Sequence, residues 1–207
     1  MTDQDSQAVS AAEPPAGGLM RQLRARLQPN PDSSVPMKLG KWAGAIVGVY
    51  LVLATIVGIY WSGTPGHFDV RDNATRYATA TEQAVVTGTT TVTALQETIR
   101  TLLEKPGGYL HNDIFPPGMW LDNMPNWEYG VLVQSRDLAR ALREVLSRSQ
   151  SQSREDVDLT LAEPRINFQS KSWILPASES EYRDALRFLE AYRARLAMTG
   201  ENSAQFY

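Results

Sequence analysis

The chain has 207 residues, no cysteine and a formal net charge of −3, which excludes disulfides, thiolate catalysis and thiolate metal sites. From residue 62 onward, 19 acidic and 15 basic residues are interspersed, so the charge pattern does not favour nucleic acid as a partner. No phosphate-binding or dinucleotide-binding glycine pattern and no Gly-x-Ser-x-Gly motif occurs, so no cofactor is predicted. An enzymatic function stays open but is less favoured than a structural one.

The first 37 residues are rich in Ser, Gln, Pro, Ala and Gly and contain too few large apolar residues to build a core. We therefore expect residues 1–37 to form a disordered tail. Within the tail, residues 18–27 place four apolar side chains at helical spacing beside three arginines. This stretch either lies on an anionic membrane surface or is a solvated basic segment that only sets topology.

A continuous apolar run from Trp42 to Ile59 is closed by Tyr60 and Trp61. About 20 helical residues cross a hydrocarbon core of about 30 Å, so residues 38–61 are predicted to be a transmembrane helix. Five basic residues lie before the run and two lie soon after it, which places the N-terminal tail in the cytoplasm. A cleaved signal peptide is the alternative, but its apolar stretch spans only about 7–15 residues. The pattern favours an uncleaved signal-anchor.

Three glycines form a stripe along the predicted membrane helix. Gly40, Gly44 and Gly48 recur at every fourth residue, and small residues at this spacing let two membrane helices approach closely. The stripe is therefore a candidate partner-binding face, although glycine is also common in membrane helices in general. No ionisable residue lies inside the apolar run, which argues against ion or proton transport through this helix.

Beyond the span, residues 73–103 repeat apolar side chains seven apart on one side. This periodicity predicts one long amphipathic helix or two helices joined near Gly88, where several β-branched residues lower helix propensity. The Lys-Pro-Gly-Gly sequence at 105–108 is expected to end the element, because proline interrupts the helical hydrogen bonds.

A second amphipathic helix is predicted at residues 128–149. One side of it carries Arg136, Arg140 and Arg143, with acidic residues at helical spacing beside them. We interpret this stripe as ion pairing on a solvated face, with docking to an acidic partner or to lipid headgroups as the alternative. Residues 147–158 contain almost no apolar side chain and predict a flexible loop.

A third helix is predicted to begin at Ser178, which would form a capping box with Glu181, and to end at Gly200. Three amphipathic segments without an alternating strand pattern predict a mainly α fold, in which one N-terminal transmembrane helix precedes a helical bundle. Phe206 and Tyr207 then follow with no obvious place in a core. We therefore expect the domain at residues 62–207 to continue further, and its last helix to lack a packing partner.

The least regular stretch is the long loop that begins at Gly107 and ends before Glu128, which has aromatic, polar and turn residues but no periodicity. A loop of this length inside a compact domain is either functional or held down by its own side chains. Trp120 and Trp127 are large enough to seal the end of the bundle. They are equally suited to bind a partner protein, and we treat both as candidate partner-binding residues.

Four residues of the loop region carry groups capable of chemistry: His111, Asp113, Asp122 and Glu128. Their spacing matches no helical or loop pattern of metal ligands, so no metal site is predicted. The carboxylates offer an acid and base pair of the kind used in glycoside hydrolysis, but any domain with this many carboxylates offers such pairs. No catalytic residue is therefore assigned.

Three segments carry a resemblance to a known family: residues 105–128 (KPGGYLHNDIFPPGMWLDNMPNWE), 149–153 (SQSQS) and 171–182 (KSWILPASESEY). They resemble the uncharacterised proteobacterial inner-membrane family known as domain of unknown function 2333. The resemblance covers the anchor and nearly all of the domain after it. It implies a Gram-negative inner-membrane protein whose helical domain lies in the periplasm, and it supplies no catalytic residues.

Together these observations predict a single-pass inner-membrane protein that acts as a structural or accessory subunit. Its expected partners are the lipid bilayer and other inner-membrane or envelope proteins, bound through the transmembrane helix and the periplasmic loop. The alternative is a periplasmic hydrolase that acts on cell-wall glycan through Asp113, Asp122 or Glu128.

Overall fold

The computed structural model describes residues 34–148 and 154–207, with side chains described from residue 38 onward. The predicted tail at residues 1–37 lies outside this part of the chain, apart from the backbone of its last four residues. The described residues are mainly helical, as predicted, and contain six α-helices and no strand.

The first helix, α1, is Ser34–Trp61. Its 24-residue stretch Lys38–Trp61 has a mean hydropathy of 2.2, which makes it long and apolar enough to cross a membrane. Near its end, Ser62 Oγ donates to the Gly58 carbonyl over 2.8 Å and so satisfies a helix-terminal acceptor. Among the described helices, α1 is the one that meets the length and composition of a membrane span.

Two helices follow where one long helix or two were predicted: α2 is Val70–Ala80 and α3 is Thr89–Glu104. Asp69 caps α2 because its carboxylate accepts the N–H groups of Arg71 and Asp72. The predicted break near Gly88 is confirmed, since this residue adopts a left-handed φ of 91° immediately before α3.

The next helix, α4, is Asn123–Ala141 and continues as a π-helical turn, Leu142–Leu146. It begins five residues before the predicted start at Glu128, so the prediction that the irregular loop continues to Glu128 is wrong for residues 123–127. Pro125 lies in the first turn of the helix, where a missing N–H breaks no intrahelical hydrogen bond.

We predicted that the arginines of this helix form ion pairs along a solvated face. The structure shows a different arrangement. Arg136 donates to the carbonyls of Ile166 and Phe168 at 3.0 and 2.6 Å. Arg143 bonds Glu155 and Glu163 at 3.0 and 2.9 Å. These two arginines therefore bind the chain segment that follows, whereas Arg140 is exposed.

That segment contains α5, Val157–Ile166, which was not predicted and which begins inside the expected flexible loop at residues 147–158. Asp156 caps it by accepting the N–H of Asp158 over 2.9 Å. The helix escapes detection because it has ten residues, contains Pro164 and buries only three apolar side chains.

The last helix, α6, is Ser178–Leu196 and ends four residues before the predicted stop at Gly200. The predicted capping box is wrong. Ser178 is the first helical residue, and its single hydroxyl proton is shared between the carbonyl oxygens of Gln169 and Ser172, which lie 2.6 and 2.9 Å from Oγ. The hydroxyl that a capping box would use is therefore engaged by the loop before the helix. Ala177 is the N-cap residue, and no side chain caps the helix there.

Helices α3, α4, α5 and α6 form a closed ring in which each packs against the next and α6 returns to α3; α2 packs on the outside against α3. This is a four-helix bundle. Its core contains large, fully buried side chains from all four members, Leu95, Leu102, Leu132, Ile166, Tyr182 and Leu189 among them. The chain divides into two compact units between Tyr50 and Leu51, so the last turns of α1 belong to the same unit as the bundle.

The final residues return to the bundle, which corrects the expectation that α6 lacks a packing partner. Helix α6 packs against both α3 and α5. Phe206 packs against the core, and the Tyr207 N–H donates to the Leu146 carbonyl over 2.8 Å. Tyr192 adds a hydrogen bond from its hydroxyl to the Gln205 carbonyl over 2.7 Å.

Gly88→Ala should destabilise the protein by about 2 kcal/mol or more. A left-handed φ is unfavourable for alanine, and the new Cβ would lie 2.5 Å from the Phe206 ring. Gly130→Ala is the matched control, because its Cβ would meet nothing within 4 Å inside α4 and alanine favours a helix by about 1 kcal/mol. Denaturant unfolding of the full-length protein in detergent measures both, and equal midpoints for the two variants would contradict the packing of Phe206 on Gly88.

Candidate functional site

The long loop between α3 and α4, residues 105–122 and hereafter the α3–α4 loop, is fixed by one carboxylate. Glu128 in α4 has 0% exposure and forms an ion pair with Lys105 Nζ. The same carboxylate accepts the backbone N–H groups of Leu110 at 3.0 Å and His111 at 2.7 Å. Lys105 also donates to the Gly108 carbonyl. Glu128 thus holds the first seven residues of the loop against the bundle.

The electrostatics of Glu128 follow from its burial. Desolvation raises the pKa of its carboxyl above the ordinary value, and the bonds from Lys105, Leu110 and His111 offset part of that rise. Both carboxylate oxygens accept protein donors, and the side chain has no solvent-exposed surface. Glu128 is therefore a structural residue of the loop and is closed to substrate.

His111 packs inside the loop. Its ring stacks on Tyr129 with 5.2 Å between centroids, and its Nδ1 lies 3.1 Å from the Pro125 carbonyl oxygen. Burial lowers the pKa of His111, which favours the neutral ring. A neutral imidazole that donates from Nδ1 to Pro125 matches this environment.

The two remaining carboxylates lie in different surroundings. Asp113 packs so closely on Gly118 that a side chain at Gly118 would collide with it. Desolvation, followed by repulsion from Glu179, raises the pKa of Asp113. Asp122 is exposed at the start of α4 and accepts the side-chain N–H of Asn126 over 2.8 Å. Within residues 34–148 and 154–207, no three histidine, aspartate or glutamate side chains converge as a metal site.

The α3–α4 loop is tied to the segment between α5 and α6, residues 167–177. Asn112 donates from its side-chain amide to the Ser172 carbonyl over 2.9 Å and to the Glu179 carboxylate over 2.8 Å. Tyr109 donates its hydroxyl to the Ser170 carbonyl over 3.1 Å. These bonds make the two loops one continuous surface at one end of the bundle.

The two tryptophans of the loop region do not seal the bundle. Trp120 is 52% exposed and Trp127 is 40% exposed. Trp127 lies at the edge of an apolar groove between α3 and α4, hereafter the α3/α4 groove, with a volume of about 420 Å³. Residues of both helices line the groove, and one of them is a glycine without a side chain: Ala94, Leu95, Thr98, Gly130, Val131 and Leu138.

The glycines of α1 fall into two groups. At Gly40, Gly44 and Gly48 an added Cβ would meet nothing within 4 Å, so the predicted stripe is open. Gly58, near the end of the helix, instead contacts the α3–α4 loop. A Cβ there would lie 3.5 Å from Pro117 and 3.7 Å from Leu121.

The contacts that join the loop to the helix end were not predicted from sequence. A methyl group added to Gly107 would lie 2.7 Å from the Trp61 ring. Lys105 was expected only to end a helix, yet it is the partner of Glu128. Lysine is almost never fully buried unless it is paired, so the default expectation for a lysine before Pro-Gly-Gly is an exposed side chain. The sequence gives no sign of the distant partner that allows its burial here.

A family model described as "Uncharacterized protein conserved in bacteria (DUF2333)" matches residues 36–207. This match confirms the family inferred from residues 105–128, 149–153 and 171–182, whereas the proteobacterial origin and the inner-membrane location stay predictions. No curated protein and no solved structure matches the chain.

Lys105→Met should cost about 3–5 kcal/mol of unfolding free energy, because it leaves the Glu128 carboxylate buried without its cation. Combining it with Glu128→Gln should recover a large part of that loss, since the double variant buries no charge. Denaturant unfolding of the two single variants and the double variant measures the coupling.

The exposed pair of Asp184 and Arg187 in α6 is the control for this cycle. The Arg187 side chain is 75% exposed, so removing this pair should change stability by less than about 1 kcal/mol. Similar coupling for both pairs would show that the Lys105–Glu128 pair is not the constraint described.

Proposed function

Since the chain belongs to the DUF2333 family of uncharacterized bacterial proteins, we propose that it is a single-pass inner-membrane protein whose bundle docks on other envelope proteins. In this proposal α1 anchors the chain with its N-terminus in the cytoplasm and the bundle in the periplasm. Support for the anchor comes from the length and hydropathy of Lys38–Trp61, and support for the orientation comes from the basic residues that precede it.

The α3/α4 groove is the observation that carries the docking role. It lies between two helices that are neighbours in the bundle. Two of its lining residues, Ala94 and Gly130, are small and so leave space between the helices. An apolar groove between two helices is the geometry that receives an amphipathic helix from a partner. Trp127 also lines the groove, and tryptophan is one of the residues that most often contribute a large share of the binding energy in protein interfaces.

The polar groups of the groove favour docking over catalysis. Among the described residues that line it, none has an acidic, basic or histidine side chain. Ser135 donates its hydroxyl to the Val131 carbonyl over 2.9 Å, so it does not require a polar ligand. An active site would bring titratable groups into the cavity. The occupant that fits is an apolar helix face with small or aliphatic residues.

The hydrolase alternative has no comparable support. Among its three candidate carboxylates, Glu128 is enclosed by Lys105 and two backbone N–H groups. Asp113 packs against Gly118, and Asp122 is engaged by Asn126 on the exposed surface. We therefore retain docking as the proposed function and assign no catalytic residue.

The open stripe of Gly40, Gly44 and Gly48 extends the same proposal into the membrane. Its glycines have space in front of them for the backbone of a second helix. Partner helices would then contact this protein at two places, the stripe in the bilayer and the α3/α4 groove in the periplasm.

A photoreactive amino acid at Gln134, which lines the groove, should crosslink a discrete partner in native bacterial envelopes. The same substitution at Arg187, exposed on α6, is the matched control and should give no such adduct. Gly130→Leu should abolish the Gln134 adduct, because the leucine side chain fills the groove, while denaturant unfolding shows that the bundle persists.

Mass spectrometry of the adduct identifies the partner, and a photoreactive group in the crosslinked partner segment should recover the reciprocal adduct. Protein recovered from Gln134 only as an uncrosslinked chain, or an adduct unaffected by Gly130→Leu, would contradict docking in the groove.

A further inference from the structure

The two joined loops at one end of the bundle expose an unusual amount of apolar surface. Leu175 is 92% exposed and Phe115 is 66% exposed. Met119, Trp120, Trp173 and Ile174 are also exposed. We call the six side chains Phe115, Met119, Trp120, Trp173, Ile174 and Leu175 the apolar apex. Soluble proteins rarely expose contiguous apolar surface of this kind without a binding role.

The exposed apolar side chains of the two loops meet at Phe115 and Trp173. The rings of Phe115 and Trp173 meet edge to face with 6.0 Å between centroids. The Met119 N–H donates to the Phe115 carbonyl over 3.1 Å, which folds residues 115–120 into a tight turn. Residues 114–121 and 173–177 contain no charged side chain. The six apex side chains are therefore apolar, and one exposed carboxylate, Asp113, lies beside them because it packs against Gly118 in the same turn.

The position of the apex along α1 identifies what covers it. Pro117 and Leu121, in the same turn as Met119 and Trp120, lie against Gly58. Gly58 precedes Trp61 by three residues, or about 4.5 Å along a helix. Ala54, a further turn back, is only 5% exposed, whereas Leu53 and Ile56 beside it are exposed. The bundle thus reaches alongside the last two turns of α1.

Those two turns belong to the apolar stretch. Lys38–Trp61 has 24 residues, or about 36 Å of helix, against a hydrocarbon core of about 30 Å. A centred span then places the edge of the hydrocarbon about 3 Å inside Trp61, so Gly58 and Ala54 lie within it. Whatever packs beside Gly58 is at the level of the outer part of the bilayer.

The backbone of the turn is suited to this depth. Pro116 and Pro117 have no N–H group, and the N–H groups of Trp120 and Leu121 donate to the carbonyls of Pro117 and Gly118 at 2.9 and 3.0 Å. Donors that are absent or already bonded lower the free energy needed to leave water. Tryptophan at the level of the headgroups is the usual residue of a membrane interface.

We infer that the apolar apex inserts into the same membrane leaflet as the C-terminal end of α1, so that the bundle is held against the bilayer at two points. The inference rests on the proposed membrane anchor, and its ligand is the lipid of that leaflet. The loop that Glu128 fixes then sets the orientation of the bundle relative to the membrane. The α3/α4 groove consequently faces its partners in one fixed orientation.

Nitroxide labels on the full-length chain test this insertion, because the chain has no cysteine of its own. Single cysteines replace Met119 or Leu175 in the apex, Val157 on α5 and Ile46 in α1, all exposed positions. The labelled proteins are reconstituted in vesicles of phosphatidylethanolamine and phosphatidylglycerol. Power saturation then compares the accessibility of each label to oxygen, which concentrates in lipid, and to a water-soluble nickel complex.

The labels at Met119 and Leu175 should show an oxygen-to-nickel accessibility ratio severalfold above that of Val157 and approaching that of Ile46. An apex ratio equal to that of Val157, with a high ratio at Ile46, would overturn the insertion and leave the anchor standing. A low ratio at Ile46 would contradict the anchor itself. Apex labels shielded from both oxygen and nickel would also overturn the inference, because they would show a protein contact in place of lipid.

Discussion

The buried pair of Glu128 and Lys105 is the interaction on which the remaining features depend. One carboxylate in α4 fixes an ammonium and two backbone N–H groups at the start of the α3–α4 loop. From this fixed start the loop carries Gly107 to Trp61, and Pro117 and Leu121 to Gly58. The pair therefore determines where the last turns of α1 meet the bundle. A buried ion pair gives little net stability, so its value here is the single loop conformation that it selects.

The position of that loop connects the two proposed surfaces. Glu128 sits one residue after Trp127, which borders the α3/α4 groove, and its backbone bonds hold the loop that presents Phe115 and Trp120 at the apex. The groove is lined by residues of α3 and α4, and the apex is presented by the loop that joins these two helices. A bundle held at a fixed orientation on the membrane would offer its groove to partner helices without the entropic loss of a freely tumbling domain.

Elements with a full amphipathic repeat were predictable from the sequence, and elements fixed by tertiary contacts were not. The break at Gly88 and the helices on either side of residues 105–108 follow from periodicity and from glycine and proline. Helix α5 was missed because Pro164 and a short apolar pattern hide it. Ser178 was misassigned because its hydroxyl bonds carbonyls of the loop before α6, and Arg136 was misassigned because it bonds a carbonyl 30 residues further on; helical periodicity records neither contact.

The candidate site shows the same division. The irregular loop, Trp120 and Trp127 were recognisable as unusual because aromatic residues occur there without periodicity. Their exposure, the pairing of Lys105 with Glu128 and the contact of the loop with Gly58 depend on the packing of helices distant in sequence. The groove could not be foreseen, because it arises from the spacing of α3 and α4 and from two small residues, Ala94 and Gly130.

Hydrogen exchange at the Leu110 and His111 amides tests the central claim most directly. Both N–H groups donate to a carboxylate that has no exposed surface, so in full-length protein reconstituted in bilayers they should exchange as slowly as the buried parts of α3 and α6. Exchange at the rate of an exposed loop would show that Glu128 does not hold the loop, and the placement of the apex beside the end of α1 would lose its support.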